Sequence, residues 1–277
     1  MENHLTSSLL GKDVSYSPEY DPDILFQIPR INNRKLLGLN SKNLPFKGWD
    51  IWNCYELSWL NNKGKPYTAI VRFIIPCNSE CIIESKSFKL YLNSFNNSKF
   101  SSSDEVKSIL EKDVSKAIGI DVDAVIYDEN YVVESMSIDR FEGTCIDDID
   151  ICCDSYVVDS SLLATTDEYL FETIYSNLLK SNCPVTGQPD WASVQFTYKG
   201  KKIIHDSLLK YIISYRDHAE FHELCVEKMF VDIMEKCCPD ELTVYARYTR
   251  RGGLDINPIR SNFSNISVPE PIRLYRQ

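Results

Sequence analysis

The sequence predicts an α+β protein built from two similar modules, each an antiparallel sheet with helices packed on one face. Three observations lead there. Strand-like alternation opens each half of the chain, two helix-like stretches follow, and another alternating stretch closes the half. The two halves also match in register at an offset near 120 residues.

In the first half, Tyr67, Ala69, Val71, Phe73 and Ile75 form one face of a half-buried strand. After Pro76, the short apolar run Cys81-Ile82-Ile83 leads into a helix over Ser85 to Phe95. Ser101 to Asp104 offer N-cap residues for a second helix running to about Ala117 and stopped by Gly119. Val122 to Tyr127 is the next strand. In the second half, Ala192, Val194, Phe196 and Tyr198 alternate, and Lys199-Gly200-Lys201 is expected to turn the chain into Ile203-Ile204. A helix over about Ser207 to Tyr215 follows. Asp217 and Glu220 have capping-box spacing for a long helix with apolar rows Cys225, Met229, Ile233, Cys237 and Val226, Phe230, Met234. Pro239 ends it, and Leu242, Val244, Ala246 and Tyr248 alternate as a strand. Between the halves, Thr166 to Lys180 predicts an extra helix, leading into the polar loop from Ser181 to Trp191 with Pro184, Gly187 and Pro189.

The register match is clearest over Ser87 to Phe95 against Ser207 to Tyr215: both serines and the tyrosine recur, and the terminal aromatic is kept. The expected architecture is ββααββ written twice, with modules at 1–150 and 151–277. Open sheet edges call for pairing with another module or subunit, so a homodimer at least is expected.

Composition narrows the function classes. With 43% apolar and 25% charged residues over 277 positions, the chain has an ample core for about two domains. No window approaches a membrane span of roughly 18 apolar residues. Glu2, Asp13, Glu19, Asp21 and Asp23 in the first 30 residues argue against a secretory signal, so a cytoplasmic protein is expected. Lys+Arg 30 against Asp+Glu 40 disfavours direct nucleic-acid binding, while leaving room for a local basic pocket. The ten cysteines read as reduced thiols, most of them small buried hydrophobes. Cys77-x-x-x-Cys81 has no matching second pair and His218-x-x-x-His222 no obvious third ligand, so no metal is expected.

Cys183 differs from Cys225 and Cys237, which lie on an apolar helix stripe: it sits in a turn-rich loop expected at the surface or a cleft. It is either a structural thiol or a nucleophile. Asp190 is either a loop carboxylate before a strand or an acid whose pKa is raised against Trp191. His222-Glu223 stand early in the long helix, and Glu84-Ser85-Lys86 start the first module's helix, where charge also suits the macrodipole. Arg247, Arg250 and Arg251 before Gly252-Gly253 are either a solvated strand end or a phosphate clamp. No G-x-G-x-x-G, P-loop or H-E-x-x-H is present in a suitable context.

Taken together, Glu84-Ser85-Lys86-Ser87-Phe88-Lys89-Leu90-Tyr91, the loop Ser181 to Trp191, Phe221-His222-Glu223 and the run Tyr248 to Ile256 closely resemble the NADPH-dependent 7-cyano-7-deazaguanine reductases. These are the nitrile reductases of queuosine biosynthesis, here in the longer two-module form, and the resemblance also takes in Asn43-Leu44-Pro45-Phe46 and Trp52 to Trp59. The resemblance implies tandem tunnelling-fold modules. It implies Cys183 as the nucleophile forming a thioimide with the nitrile carbon and Asp190 as proton donor; imidazole acidity in addition suits His222 to a proton relay. Ile83, Glu84, Ser85, His222 and Glu223 would bind the deazapurine. Ser85, Lys86, Arg251 and Gly252 would contact NADPH, consumed twice per nitrile.

Overall fold

The structure is a computed structural model that describes residues 19–127 and 138–277. Part of the stretch read as lacking a secretory signal, residues 1–18, lies outside the described residues. The described residues fall into two compact units, one drawn from 19–42, 51–127 and 250–255, the other from 43–50, 138–249 and 256–277. The expected single boundary after residue 150 is thus replaced by an interleaved one.

The first unit runs β1 (Gln27–Pro29), α1 (Arg30–Leu36), β2 (Lys47–Leu60, shared with the second unit), β3 (Pro66–Pro76), β4 (Cys81–Ile83), α2 (Ser85–Ser94), α3 (Ser103–Ile118) and β5 (Asp123–Tyr127). Its sheet is ordered β5-β3-β2, and β1 pairs antiparallel with β4. Ser102 caps α3 by accepting from the Glu105 N–H at 3.1 Å, and Gly119 ends it with φ 76°, as the sequence predicts. Phe88 of α2 meets Trp52 and Phe73 edge-on at ring distances of 5.1 Å. Burying such a ring is worth about 1.5–3 kcal/mol. Two arginines of α1 are buried: Arg30 Nε donates to Ser79 Oγ at 3.0 Å and Arg34 Nη2 to the Cys77 carbonyl at 2.6 Å. They supply donors to the loop before β4.

The second unit runs β6 (Ile138–Asp139), β7 (Thr144–Cys145), β8 (Thr165–Asn182), β9 (Pro189–Ile203), α4 (His205–Ser214), α5 (His222–Cys237), β10 (Glu241–Tyr248), β11 (Leu254–Ser261, shared with the first unit) and β12 (Arg273–Leu274). Its strands are ordered β11-β10-β9-β8-β7, and the run from β8 to β11 reads ββααββ.

Three sequence expectations are corrected here. The stretch Thr166 to Lys180 is a strand, not a helix: β8 pairs antiparallel with β9 from Thr165 to Asn182. Its threonines, tyrosines, Phe171 and Ile174 favour the pleated surface, but register shifts at Thr165/Tyr169 and Ser176/Leu179 break the alternation that would have betrayed it. Gly200 is not a turn; β9 runs straight through it, and a Cβ there would come within 2.8 Å of Pro239 Cα. The glycine admits a close backbone approach. The Asp217/Glu220 capping box does not form. α5 begins at His222 with Phe221 as its N-cap, and Glu220 instead accepts from the Phe221 N–H at 2.9 Å.

The thiols are also less uniformly buried than expected: Cys54, Cys77, Cys183, Cys225 and Cys237 are buried, whereas Cys145, Cys152 and Cys238 are exposed.

Candidate active site

In the second unit, the chemistry gathers at the hairpin joining β8 to β9. Cys183 directly follows β8. Its N–H donates to the Gln188 carbonyl at 2.8 Å, and its own carbonyl accepts from the Gly187 N–H at 3.0 Å. Asn182, just before it, donates to the His218 carbonyl at 2.8 Å and accepts from the Glu220 N–H at 3.1 Å. The thiol loop is therefore curled on itself and fastened to the segment that leads into α5. Cys183, expected at the surface or a cleft, is only 3% exposed.

Asp190 is the second residue of β9 and the cross-strand partner of Ser181. It is 6% exposed, and its Oδ2 lies 3.2 Å from His222 Nε2 at the first turn of α5. The sequence reading put Asp190 against Trp191, but successive strand side chains point to opposite faces. Trp191 instead carries Arg216 and Arg276 over its ring, at 5.5 and 5.2 Å. What buries Asp190 is the helix and strand on its own side. Glu223, next along α5, is buried as well. Burial holds the neighbouring thiol of Cys225 well above its ordinary pKa, with Glu220 pushing the same way. Burial likewise raises Glu220 and lowers His218. His218 lies before α5 rather than on it, so the His218/His222 spacing is not a one-face helical pair.

In the first unit, Ile83 ends β4 and Glu84 is the N-cap of α2. The Glu84 oxygens accept from the N–H groups of Lys86 at 2.7 Å and Ser87 at 2.8 Å. The side chain is only 1% exposed, and burial raises its pKa although both N–H groups pull it back. Capping uses one lone pair on each oxygen and leaves each a second acceptor position. Ser85 and Lys86 follow in the first turn, half-buried. Arg251 pairs across a tight turn with Leu254, and Gly252 takes φ 63° within it. A Cβ on Gly252 would stand 3.2 Å from Lys89 Cδ, one turn along α2 from Lys86.

The three arginines of the supposed clamp separate. Arg247 is buried, donating to Gln277 Oε1 at 2.6 Å, to the Tyr245 hydroxyl at 2.7 Å and to the Ile272 carbonyl, so its role is structural. Arg250 lies over the Tyr55 ring at 4.7 Å. Arg251 and Gly252 are the part left beside α2. Sequence reasoning assigned no role to two neighbours of this chemistry. Lys89 packs on Gly252 and pairs with Glu56 at 3.3 Å. Tyr248 stacks on His222 with ring centroids 3.8 Å apart. Both stood within the quoted motifs, but neither contact has a local sequence signal.

No helix among the described residues is long and apolar enough to cross a membrane. A family profile described as nitrile reductase, 7-cyano-7-deazaguanine-reductase N-term, matches residues 16–126, and one described as QueF-like protein matches residues 189–265. Curated relatives named NADPH-dependent 7-cyano-7-deazaguanine reductase include one from Coxiella burnetii, 53% identical over 98% of this chain and 96% of its own. Another, from Paraburkholderia phymatum, is 53% identical over 98% of each chain. A third, from Legionella pneumophila, is 49% identical over all of this chain and 97% of its own. Among solved structures, an archaeosine synthase QueF-Like in its apo form is similar at 15% identity and a TM-score of 0.30, over 35% of this chain and 94% of that one, too slight a likeness to bear on the fold. With relatives at 49–53% identity matched over nearly the whole chain and a nitrile-reductase profile over residues 16–126, the chain belongs to the NADPH-dependent 7-cyano-7-deazaguanine reductase family.

Proposed function

We propose that this protein reduces the nitrile of 7-cyano-7-deazaguanine to the aminomethyl group in queuosine biosynthesis, through a covalent thioimide on Cys183. The observation that carries this reading is the buried Asp190–His222 pair at 3.2 Å, set where the thiol loop enters β9. A nitrile is a poor hydride acceptor, and its thiol adduct is an activated C=N, so covalent catalysis divides a hard reduction into easier steps.

In the first step the Cys183 sulfur bonds to the nitrile carbon, one C–N π bond breaks, and the nitrogen takes a proton. A carboxylate is a far weaker base than a thiolate, and an imidazole lies between them. The pair therefore holds and moves the proton: His222 relays it and Asp190 delivers it. Each of two NADPH molecules, when bound, would supply one hydride, the first to the thioimide carbon and the second to the imine carbon. Between them Cys183 departs as a thiolate, and the Asp190–His222 pair returns protons to nitrogen.

Glu84 and Glu223 suit the guanine-like edge, because a carboxylate accepts from both N1–H and the 2-amino group. Ile83, Ser85 and His222 complete the substrate contacts. The residues present also fit a dinucleotide phosphate: Lys86 and Lys89 lie one turn apart on α2, and the left-handed Gly252 is a position where a Cβ would crowd Lys89. Ser85, Lys86, Arg251 and Gly252 would hold it. Tandem tunnelling-fold modules, a cytoplasmic location and a homodimer belong to the same reading. It is supported by the matching local geometry of α2 and α4.

Intact mass after mixing with 7-cyano-7-deazaguanine in the absence of NADPH tests the proposal. The wild type should gain one substrate mass, mapped to Cys183, and Cys183→Ala should gain none. Absence of an adduct together with no NADPH oxidation would sink it.

A further inference from the structure

We infer that Tyr248 is a positioning residue that presents the His222 imidazole to Asp190 and favours its protonated form through the face of its ring. The inference rests on the proposed relay role of His222. Tyr248 is the last residue of β10 and is buried. Its ring lies almost parallel to the imidazole, 15° between planes with centroids 3.8 Å apart, while Asp190 meets the imidazole edge at Nε2, 3.2 Å away. A carboxylate at the edge and a π-face on the flat both stabilise an imidazolium. With the edge and one face occupied, the ring has little freedom to turn.

The tyrosine is itself anchored. Its carbonyl accepts from Gln277 Nε2 at 3.0 Å, and that side chain also bonds Asn257 Oδ1 at 2.7 Å and Arg247 Nε at 2.6 Å. Its hydroxyl points among buried groups beside Ser181 and Cys225. Burial holds that phenol well above its ordinary pKa, so Tyr248 stays neutral and acts through its ring rather than as a base. The titratable groups around the pair are Asp190 on β9, Cys225 and Glu223 on α5, Glu220 before it, and Cys183 in the loop. None of them supplies a second aromatic face.

The test is the pH profile of NADPH-dependent turnover, with the Cys183 adduct measured alongside. Tyr248→Leu should lower kcat about tenfold with KM for the nitrile unchanged, and should move the acid limb, set by the imidazole that takes the thiol proton, down by about half a pH unit, because the imidazolium loses its π-face. Tyr248→Phe keeps the ring and should retain the wild-type profile. If Tyr248→Leu does not fold, the pair Tyr248→Phe and pentafluorophenylalanine installed at Tyr248 decides. The two share shape but oppose each other in ring charge, so only the fluorinated ring should shift the acid limb. Identical profiles for that pair, or a Tyr248→Phe shift as large as that of Tyr248→Leu, would overturn the inference. Wild-type protein lacking both adduct and turnover would overturn the proposed function with it. Adduct and turnover with indistinguishable profiles would overturn the positioning role alone.

Discussion

Helices α2 and α4 are built on the same internal scheme, yet only one carries candidate chemistry. In α2, Ser87 Oγ donates to the carbonyl three residues back at 2.7 Å and accepts the Phe26 N–H at 3.0 Å. In α4, Ser207 Oγ donates to the Ile204 carbonyl at 2.7 Å and accepts the Ala164 N–H at 3.1 Å. Ser94 and Ser214 each donate to a tyrosine carbonyl three residues back at 2.6 Å. Those tyrosines, Tyr91 and Tyr211, each reach an aspartate on the following helix, Asp113 at 2.8 Å and Asp232 at 2.7 Å. The contrast begins at the N-cap. Glu84 caps α2 with its carboxylate, whereas Ile204 stands at that position in α4 with no side-chain cap. Residues that recur are therefore framework, and Glu84-Ser85-Lys86, which do not recur, carry the proposed ligand contacts.

Replacing the specialised cap breaks the comparison most severely. Glu84→Ile, which makes α2 start like α4, should lower kcat/KM at least 10³-fold, since the guanine-like donors are left unpaired. Denaturant unfolding of the same variant should show a loss of about 1 kcal/mol from the missing cap. Ile204→Ala should leave kcat/KM at the wild-type value. Equal kinetic losses at both positions would mean that Glu84 is framework too.

The buried aspartates sharpen the contrast on the stability side. Asp232 accepts from Tyr211 in the interior, and Tyr211 is bonded in turn to Tyr215 at 2.9 Å. Asp232→Ala should cost about 3 kcal/mol in urea titrations, because buried hydroxyls lose their acceptor. Asp113 is less deeply buried, so Asp113→Ala should cost about half as much despite serving Tyr20 and Tyr91 together.

The pH response separates the two helices again. Burial raises the Glu84 pKa, so protonation begins at a higher pH than for an ordinary carboxylate. The protonated acid no longer accepts two donors, and KM for the nitrile should rise about tenfold per pH unit below that raised value. The stability term has the opposite sign. A carboxyl held above its unfolded pKa binds protons more tightly when folded, so folding gains as pH falls through that window. Glu84→Gln should flatten the KM profile on the acid side. Ile204 offers nothing to titrate.

The smallest effects should fall on the shared serines. Ser94→Ala and Ser214→Ala should each cost about 1 kcal/mol and leave kcat/KM unchanged, with the two values within about 0.5 kcal/mol of one another.

How much of this was legible follows from the range of the forces involved. The repeat at Ser87/Ser207, the caps at Ser102 and Gly119, and the alternation of β9 and β10 depend on neighbours a few residues away, so their signals are local. The helix predicted over Thr166 to Lys180 failed because β8 owes its conformation to pairing with β9, and its register shifts disguise the period. The repeat also extends further than the sequence reading found. Asp21 and Asp159 each cap a short 3-10 turn and each donate a backbone N–H to the helix serine, Ser94 at 3.2 Å and Ser214 at 3.4 Å. Their spacing to the helices differs between the halves, which hides the match from any fixed offset.

By itself, the sequence determined the α+β class, the two related helix pairs, and the residue types that suit the proposed thiol addition and proton transfer. Those properties reside in side-chain chemistry and in short-range periodicity. Tertiary structure alone decided that Arg247 is a buried strut, that Cys183 is buried, and that Asp190 faces His222 rather than Trp191. It also decided that Tyr248 covers the imidazole. Each of these depends on which strand or helix lies opposite, and residues far apart in the chain leave no local trace of meeting.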